Sequence, residues 1–515
     1  MNGAESLVRT LVAGGIDVCF ANPGTSEMHF VAALDRVEGM RCVLGLFEGV
    51  VTGAADGYFR MTGKPASTLL HLGPGLANGL ANLHNAKKVH SGIVNIVGQH
   101  ATYHIGYNAP LTSDIEGLAR PMSGWVRTSP DAKSVAADGA AAIAAAKSAP
   151  PQIATLILPA DTAWNECCEI VEVPESKHWI SYSPQAVEKA ACTLREDAAH
   201  TLLLVAGNAL TERALALAQQ IAGKTGCTVM GQTSHSRMAR GRGRFSINCI
   251  PYAIGQALPT LKQFKHIVLV EADEPVAFFA YPDKPSLLKP EGCKMHRMTA
   301  PGENSAAALE ALAGAVGAKA YDVKPQKLAD LVKPTGSLNL ASIAQAIAWA
   351  IPENAIVVDE SITTGFGFFP ATAASAPHDW LLNMGGSIGF GTPVATGAAV
   401  ACPDRKVICM VGDGSAMYTI QSLWTQAREG LNVVTIVFAN KAYQILRGEF
   451  DNVGAGEPGQ RALDMLKLDR PTLDFVALAR SMGVPGYSVV TVDELNEALE
   501  QALCEPGPRL IEVQV

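Results

Sequence analysis

Two short stretches near the C-terminal end of this 515-residue chain have the residue types and spacing to do chemistry. In Ile408–Ile420, ICMVGDGSAMYTI, an apolar run stops at Gly412-Asp413-Gly414, and helical spacing begins at Ser415. A second apolar run, Val433–Ala439, closes on Asn440, with twenty-five residues between Gly414 and Asn440. Both runs read as buried parallel strands, which sets Asp413 and Asn440 at carboxyl ends facing one crevice, where open α/β sheets bind ligands. The glycines let the backbone approach a diphosphate closely, and N–H groups with a helix N-terminus at Ser415 supply positive potential. The oxygens of Asp413 and Asn440 suit a hard cation bridging the phosphates; Mg²⁺ fits a site with few protein ligands. Gly-Asp-Gly alone is also an ordinary tight turn, so the partner Asn carries the specificity.

With that spacing, Gly412-Asp413-Gly414-Ser415 and Asn440 resemble the thiamine-diphosphate motif of the family of pyruvate decarboxylase, acetolactate synthase and benzoylformate decarboxylase. The resemblance implies a third metal ligand from the backbone carbonyl of Ala442; many members carry Asn-Asn where this chain has Ala439-Asn440. Gly45-Leu46-Phe47-Glu48-Gly49, followed by Ala54-Ala55-Asp56-Gly57-Tyr58, resembles the stretch carrying the family's glutamate. A carboxylate such as Glu48, taken out of water, can share a proton with N1′ of the aminopyrimidine and so promote the C2 ylid. In Gly385-Gly386-Ser387-Ile388-Gly389-Phe390, the resemblance makes Ile388 the apolar wedge beneath the bent cofactor, with Gly386 in the cofactor loop.

On the substrate side, Asn22-Pro23-Gly24-Thr25-Ser26 and His71 before Gly73-Pro74-Gly75 resemble benzoylformate decarboxylase, which implies that Ser26 and His71 contact the 2-keto acid and move protons. The plainer alternatives are Ser26 as a helix cap and His71 as a satisfied strand-end histidine. Departures exist too. Val276–Asp283 (VAFFAYPD) holds aromatics where that decarboxylase presents a second histidine, and Gln99–Thr112 lacks the paired histidines of pyruvate decarboxylase. The expected activity is a thiamine-diphosphate- and Mg²⁺-dependent 2-keto-acid decarboxylase or carboligase, acetolactate-synthase-like: ylid addition, CO₂ loss, then protonation or ligation of the enamine. The alternatives are an FAD-containing acetolactate synthase or pyruvate oxidase, or a thiamine-diphosphate-binding homologue without turnover. Family geometry implies active sites shared between subunits of a homodimer or homotetramer.

Alternating strand-like runs and helical patterns must position these residues, which is the signature of α/β architecture with parallel sheets. In the first third, strands are expected at Asp17–Ala21, Arg41–Leu46, Ser67–Leu70, Ile93–Val97 and Ile153–Leu158. Later ones are Thr201–Val205, Cys227–Met230, His266–Val270, Ala355–Val358, Lys406–Met410 and Val433–Ala439, with helices at Ala136–Ala149, Thr211–Thr225 and Ser415–Arg428. A Pro- and Glu-containing linker at Val171–Lys177 and Pro-rich sequence at Val323–Thr335 divide the chain. Three doubly wound parallel-sheet domains are expected: pyrimidine-binding at 1–170, middle at 185–325 and diphosphate-binding at 336–515. A length beyond ~300 residues calls for several cores.

Hydrophobic content of 48% with 17% charged residues describes a well-buried chain. A net charge of −8 without a Lys/Arg run gives no nucleic-acid footprint. Eleven cysteines without a CxxC pair, with only Cys167-Cys168 adjacent, read as free thiols of a reducing cytoplasm. The N-terminus lacks a signal-peptide pattern. Leu381–Pro403 carries no charge, but its five glycines and two prolines point to a Gly-rich loop entering a buried helix, not a membrane span. Gly73–Gly79 lacks the following acid of a dinucleotide fingerprint. Gly207-Asn208 after Thr201–Val205 is not a glycine-rich dinucleotide turn, so FAD is not expected.

Overall fold

The computed structural model describes residues 1–167, 170–173, 180–323 and 326–515. Cys168 and most of the expected linker Val171–Lys177 lie outside them. The described strands are β1 Val18–Asn22, β2 Arg41–Leu44, β3 Ala66–Leu70, β4 Ile93–Gln99, β5 Trp125–Thr128, β6 Ile153–Pro159, β7 Thr201–Val205, β8 Thr228–Gly231 and β9 Met238–Arg240. The remainder are β10 Asn248–Cys249, β11 His266–Val270, β12 Lys294–Thr299, β13 Ile356–Glu360, β14 His378–Leu382, β15 Val407–Gly412, β16 Val433–Ala439, β17 Gly486–Val489 and β18 Arg509–Gln514.

They form three sheets, ordered β2-β1-β3-β4-β6-β5, β10-β8-β7-β11-β12 and β17-β18-β16-β15-β13-β14-β9. All pairings are parallel except β9 with β14. The central strands β3, β4, β6, β7 and β16 are buried at every residue, as strands covered by helices on both faces must be. The α/β class with three parallel sheets is therefore what the chain adopts.

Two local departures have physical causes. The helix expected over Ser415–Arg428 is interrupted: one turn, Asp413–Ala416, is followed by Ser422–Arg428. Between them, the Thr419 hydroxyl donates to the Gly389 carbonyl (3.0 Å) and that of Thr392 to the Thr419 carbonyl (3.1 Å), so tertiary bonds replace helical ones. The second departure is β9, three residues from the middle stretch that cross to edge the third sheet. Its buried Arg240 stacks on Phe369 at 3.5 Å and donates to the Phe369 carbonyl.

The first and third sheets meet through helices Glu48–Thr62 and Gly391–Ala401. A Cβ on Gly57 would overlap the Val394 carbonyl, and one on Gly397 would overlap that of Ala54, so the backbones touch where side chains are missing. Arg60 joins all three units. Its guanidinium grips buried Asp56 (2.7 Å) and donates to the carbonyls of Ser236 (3.2 Å) and Leu382 (2.8 Å). The uncharged stretch 381–403 is the end of β14, a Gly-rich turn and a buried helix; among the described residues no helix is long and apolar enough to cross a membrane.

Candidate active site

Strands β15 and β16 pair in register as far as Gly412 opposite Phe438, so Asp413 and Asn440 leave adjacent strand ends. Asp413 is buried, and burial raises its carboxyl above the usual range against the N–H groups of Lys441 and Gly414. Lys441 N–H donates to Oδ2 (2.6 Å) and Gly414 N–H to Oδ1 (2.8 Å). Asn440 Oδ1 accepts from the Ala442 N–H at 3.0 Å. A left-handed residue, Lys441 (φ 56°), makes this reversal possible. The flanking bonds run from Leu468 N–H to the Lys441 carbonyl (2.7 Å) and from Tyr443 N–H to the Leu466 carbonyl (2.9 Å). The two glycines differ: a Cβ on Gly412 would enter open space, whereas one on Gly414 would strike the Tyr443 ring. Ser415 is buried in the turn Asp413–Ala416.

The Gly-rich turn beside this pair hangs on a residue that the sequence reading missed. Glu360, the last residue of β13, accepts the N–H groups of Gly389 (3.0 Å), Phe390 (3.2 Å) and Gly391 (2.8 Å). Burial pushes its carboxyl up to about 7, partly offset by those three donors. The available signal was an acid closing a buried apolar strand, which needs donors somewhere. Asn82 donates to the Gly389 carbonyl (3.1 Å) and Asn85 to that of Ser387 (2.9 Å), bracketing half-buried Ile388. Gly386 (φ 79°) lies against the Phe278 ring, which packs on Phe279 and Tyr252.

On the first sheet, Glu48 opens its helix and is 7% exposed. Its Oε2 accepts from Asn78 at 3.0 Å, and a Cβ on Gly75 would sit 2.9 Å from Oε1 and 3.3 Å from the His71 Cβ. Glycine at 75 therefore keeps Glu48 and His71 in one pocket. His71 Nδ1 meets Glu27 Oε2 at 2.8 Å. Glu27 is buried and raised above the usual carboxylate range by burial; the same oxygen accepts the Gly24 N–H at 2.8 Å. His71 is thus an oriented histidine, a quarter exposed. Ser26 is half-buried within Thr25–Glu27, and the capping bond there belongs to Glu27, not to Ser26. Glu27 and Asn78 were not singled out from sequence, because only folding brings them to His71 and Glu48. His100 stacks on His104, and burial lowers its ring's proton affinity.

Glu48, His71 and Ser26 stand on the first unit and Asp413, Asn440 and Ala442 on the third; the turn carrying Gly386 and Ile388 belongs to the third but is tied to the first through Asn82, which also donates to the Gly49 carbonyl (2.8 Å). Among the described residues, no hydrogen bond or ion pair of one chain joins the catalytic candidates to the metal candidates. The donor set around Asp413 fits a hard cation: carboxylate, amide and carbonyl oxygens, with open space over Gly412. Polar groups collected at the carboxyl ends of parallel strands mark the ligand-binding crevice of an α/β protein.

Comparison with known proteins agrees. The thiamine pyrophosphate enzyme N-terminal TPP binding domain matches residues 1–119, and the C-terminal TPP binding domain of such enzymes matches residues 366–513. The chain is 50% identical over its whole length, and 99% of the other's, to a Mycobacterium tuberculosis protein named "Putative acetolactate synthase large subunit IlvX". It is 31% identical to benzoylformate decarboxylase of Pseudomonas aeruginosa, covering 97% of this chain and 96% of that one. The solved thiamine diphosphate-dependent 4-hydroxybenzoylformate decarboxylase of Rhodococcus jostii RHA1 superposes with a TM-score of 0.86 at 28% identity, covering 100% and 99%. The chain belongs to the thiamine pyrophosphate enzyme family and is of the acetolactate synthase and benzoylformate decarboxylase type.

Proposed function

We propose that the protein is a thiamine-diphosphate- and Mg²⁺-dependent 2-keto-acid decarboxylase or carboligase. The observation that carries this reading is the placement of Asp413 and Asn440 at the ends of adjacent strands, with Glu48 buried at the start of a helix packed on another sheet. Asp413, Asn440 and the Ala442 carbonyl hold Mg²⁺; Gly412, Gly414 and Ser415 present backbone to the diphosphate; Ile388 and Gly386 shape the cofactor loop. When bound, thiamine diphosphate supplies a nucleophilic carbon for the keto group and holds the electron pair that CO₂ leaves behind.

Glu48 holds a proton toward the aminopyrimidine ring, with Asn78 fixing its carboxylate. His71, oriented by Glu27, moves protons at the substrate, and Ser26 offers its hydroxyl beside it. The family resemblance supports a homodimer or homotetramer in which each site takes one group from each subunit. Domains at 1–170, 185–325 and 336–515 each take one sheet, apart from β9 of the middle stretch, which pairs at the edge of the third. The ten described cysteines are all free, in keeping with a cytoplasmic setting.

The test is CO₂ release from pyruvate, branched and aromatic 2-keto acids, with and without an acceptor aldehyde. Glu48→Ala is expected to lower turnover by roughly 10²–10⁴-fold while the fold is kept. Wild-type rates in that variant refute the assigned role. No CO₂ from any acid, with thiamine diphosphate bound, refutes decarboxylation.

A further inference from the structure

The middle sheet has a switch point of its own. From β7 the chain goes first to β8 on one side and later to β11 on the other, so the crevice opens past Val205 and Val270, which pair in register. In sheets of this kind, that crevice takes the phosphates of a nucleotide. Here the turn past β7 has the shape for it: Gly207 is left-handed (φ 51°), and the Asn208 N–H and side-chain amide both point inward, with Ser305 opening the helix Ser305–Val316 alongside.

Every one of those donors already serves a carboxyl group that belongs to the chain. Glu271, the first residue past β11, accepts from the Asn208 N–H (3.0 Å), Asn208 Nδ2 (3.0 Å) and Ser305 Oγ (2.9 Å). A Cβ on Gly207 would overlap its Oε1, so the glycine makes room for this carboxylate. Glu271 itself is left-handed (φ 57°), a conformation that disfavours a non-glycine residue. Its backbone is bent out of preference to deliver the side chain. Burial raises the carboxyl to about 7 against the pull of those same donors. Beyond it, a cavity of about 760 Å³ opens between the three units; its wall carries cations as well as acids, with Arg237 and Arg405 held by Asp379 and Arg244 by Glu212, while Asp273 pairs with Arg297.

We propose that Glu271 is a built-in occupant of the anion-binding turn at the middle sheet's switch point, so that this crevice rejects the diphosphate of FAD or an adenine nucleotide. The residues present do not fit a flavin dinucleotide. Its phosphates meet a carboxylate where they need N–H groups, and the donors are spent. The middle sheet is left as a spacer between the two cofactor-holding units, with its nucleotide crevice closed from within.

The test uses protein saturated with thiamine diphosphate and Mg²⁺, its cofactor content measured first, so that the diphosphate site is filled and a failure of the cofactor reading is seen separately. ADP, FAD and inorganic pyrophosphate are titrated by calorimetry into wild type and Glu271→Gly, which removes the carboxylate and relieves the left-handed strain. The expected result is no measurable binding to wild type and binding to the variant at least ~10-fold tighter, equivalent to ~1.4 kcal/mol. Stoichiometric FAD or ADP in wild type overturns the proposal, as does a folded Glu271→Gly that gains no affinity. Should that variant fail to fold, Glu271→Asn, which tolerates the left-handed backbone and is one methylene too short to fill the turn, carries the same titration with the same two readings.

Discussion

Replacing Glu360 by Gln is expected to remove a loss of stability that wild type suffers as pH rises, and to make the protein worse at its chemistry. The carboxyl is raised from 4.5 to about 7 because burial outweighs the three backbone N–H groups that it accepts. Between those two values the folded chain keeps a proton that the unfolded chain has released. The stability this contributes is therefore complete below about 4.5 and is lost as pH rises through about 7, by ~3 kcal/mol in all. Glutamine has no such dependence. Urea unfolding of wild type and Glu360→Gln from pH 4.5 to 8, followed through buried Trp380 on the neighbouring strand β14, reads the difference directly. Relative to the variant, wild type should lose up to ~3 kcal/mol across that range. Function should move the other way: the amide NH₂ of Gln cannot accept the Gly391 N–H, so the turn carrying Ile388 loses one of three anchors, and thiamine-diphosphate affinity should fall. A stability difference that stays flat with pH, or grows in favour of wild type, refutes the reasoning.

Glu27→Gln leaves His71 without its charged anchor; kcat is expected to fall by roughly 10–10²-fold, part of what a positioned proton donor contributes, with circular dichroism unchanged. Arg60→Met strands buried Asp56 (both side chains 1% exposed) and should destabilise by about 3–5 kcal/mol in thermal or chemical unfolding. Gly397→Ala drives a methyl group into the Ala54 carbonyl and should cost ~1–3 kcal/mol, together with activity, because the displaced helix is the one carrying Glu48.

The family, the parallel strands and the strand-end position of the proposed cofactor residues were legible because each rests on local pattern. Buried parallel strands are continuous apolar runs, and the residue that ends one stands at the crevice whatever the rest of the chain does; Asp413 and Asn440 need nothing further to be found. Glu48 was legible only beside them, through the resemblance of its stretch. Neighbours that meet across long separations were not. Glu27 serves His71 from 44 residues away, and Glu360 serves Gly389 from 29. The same limit hid β9: three residues from the middle stretch carry no period, and their place at the edge of the third sheet is decided by Arg240 stacking on Phe369. Thr419 and Thr392 likewise broke a helix whose apolar spacing was sound, by offering it better partners.

What the sequence determined by itself was the family and the place of polar residues at strand ends, where Asp413 and Asn440 stand beside glycines. What only the tertiary structure decided is how the buried carboxylates are spent. Glu27 orients a histidine, Glu360 hangs a turn and Glu271 fills a crevice, because a carboxylate taken from water must find N–H or O–H donors. Where those donors lie is a property of the fold and not of the neighbouring residues.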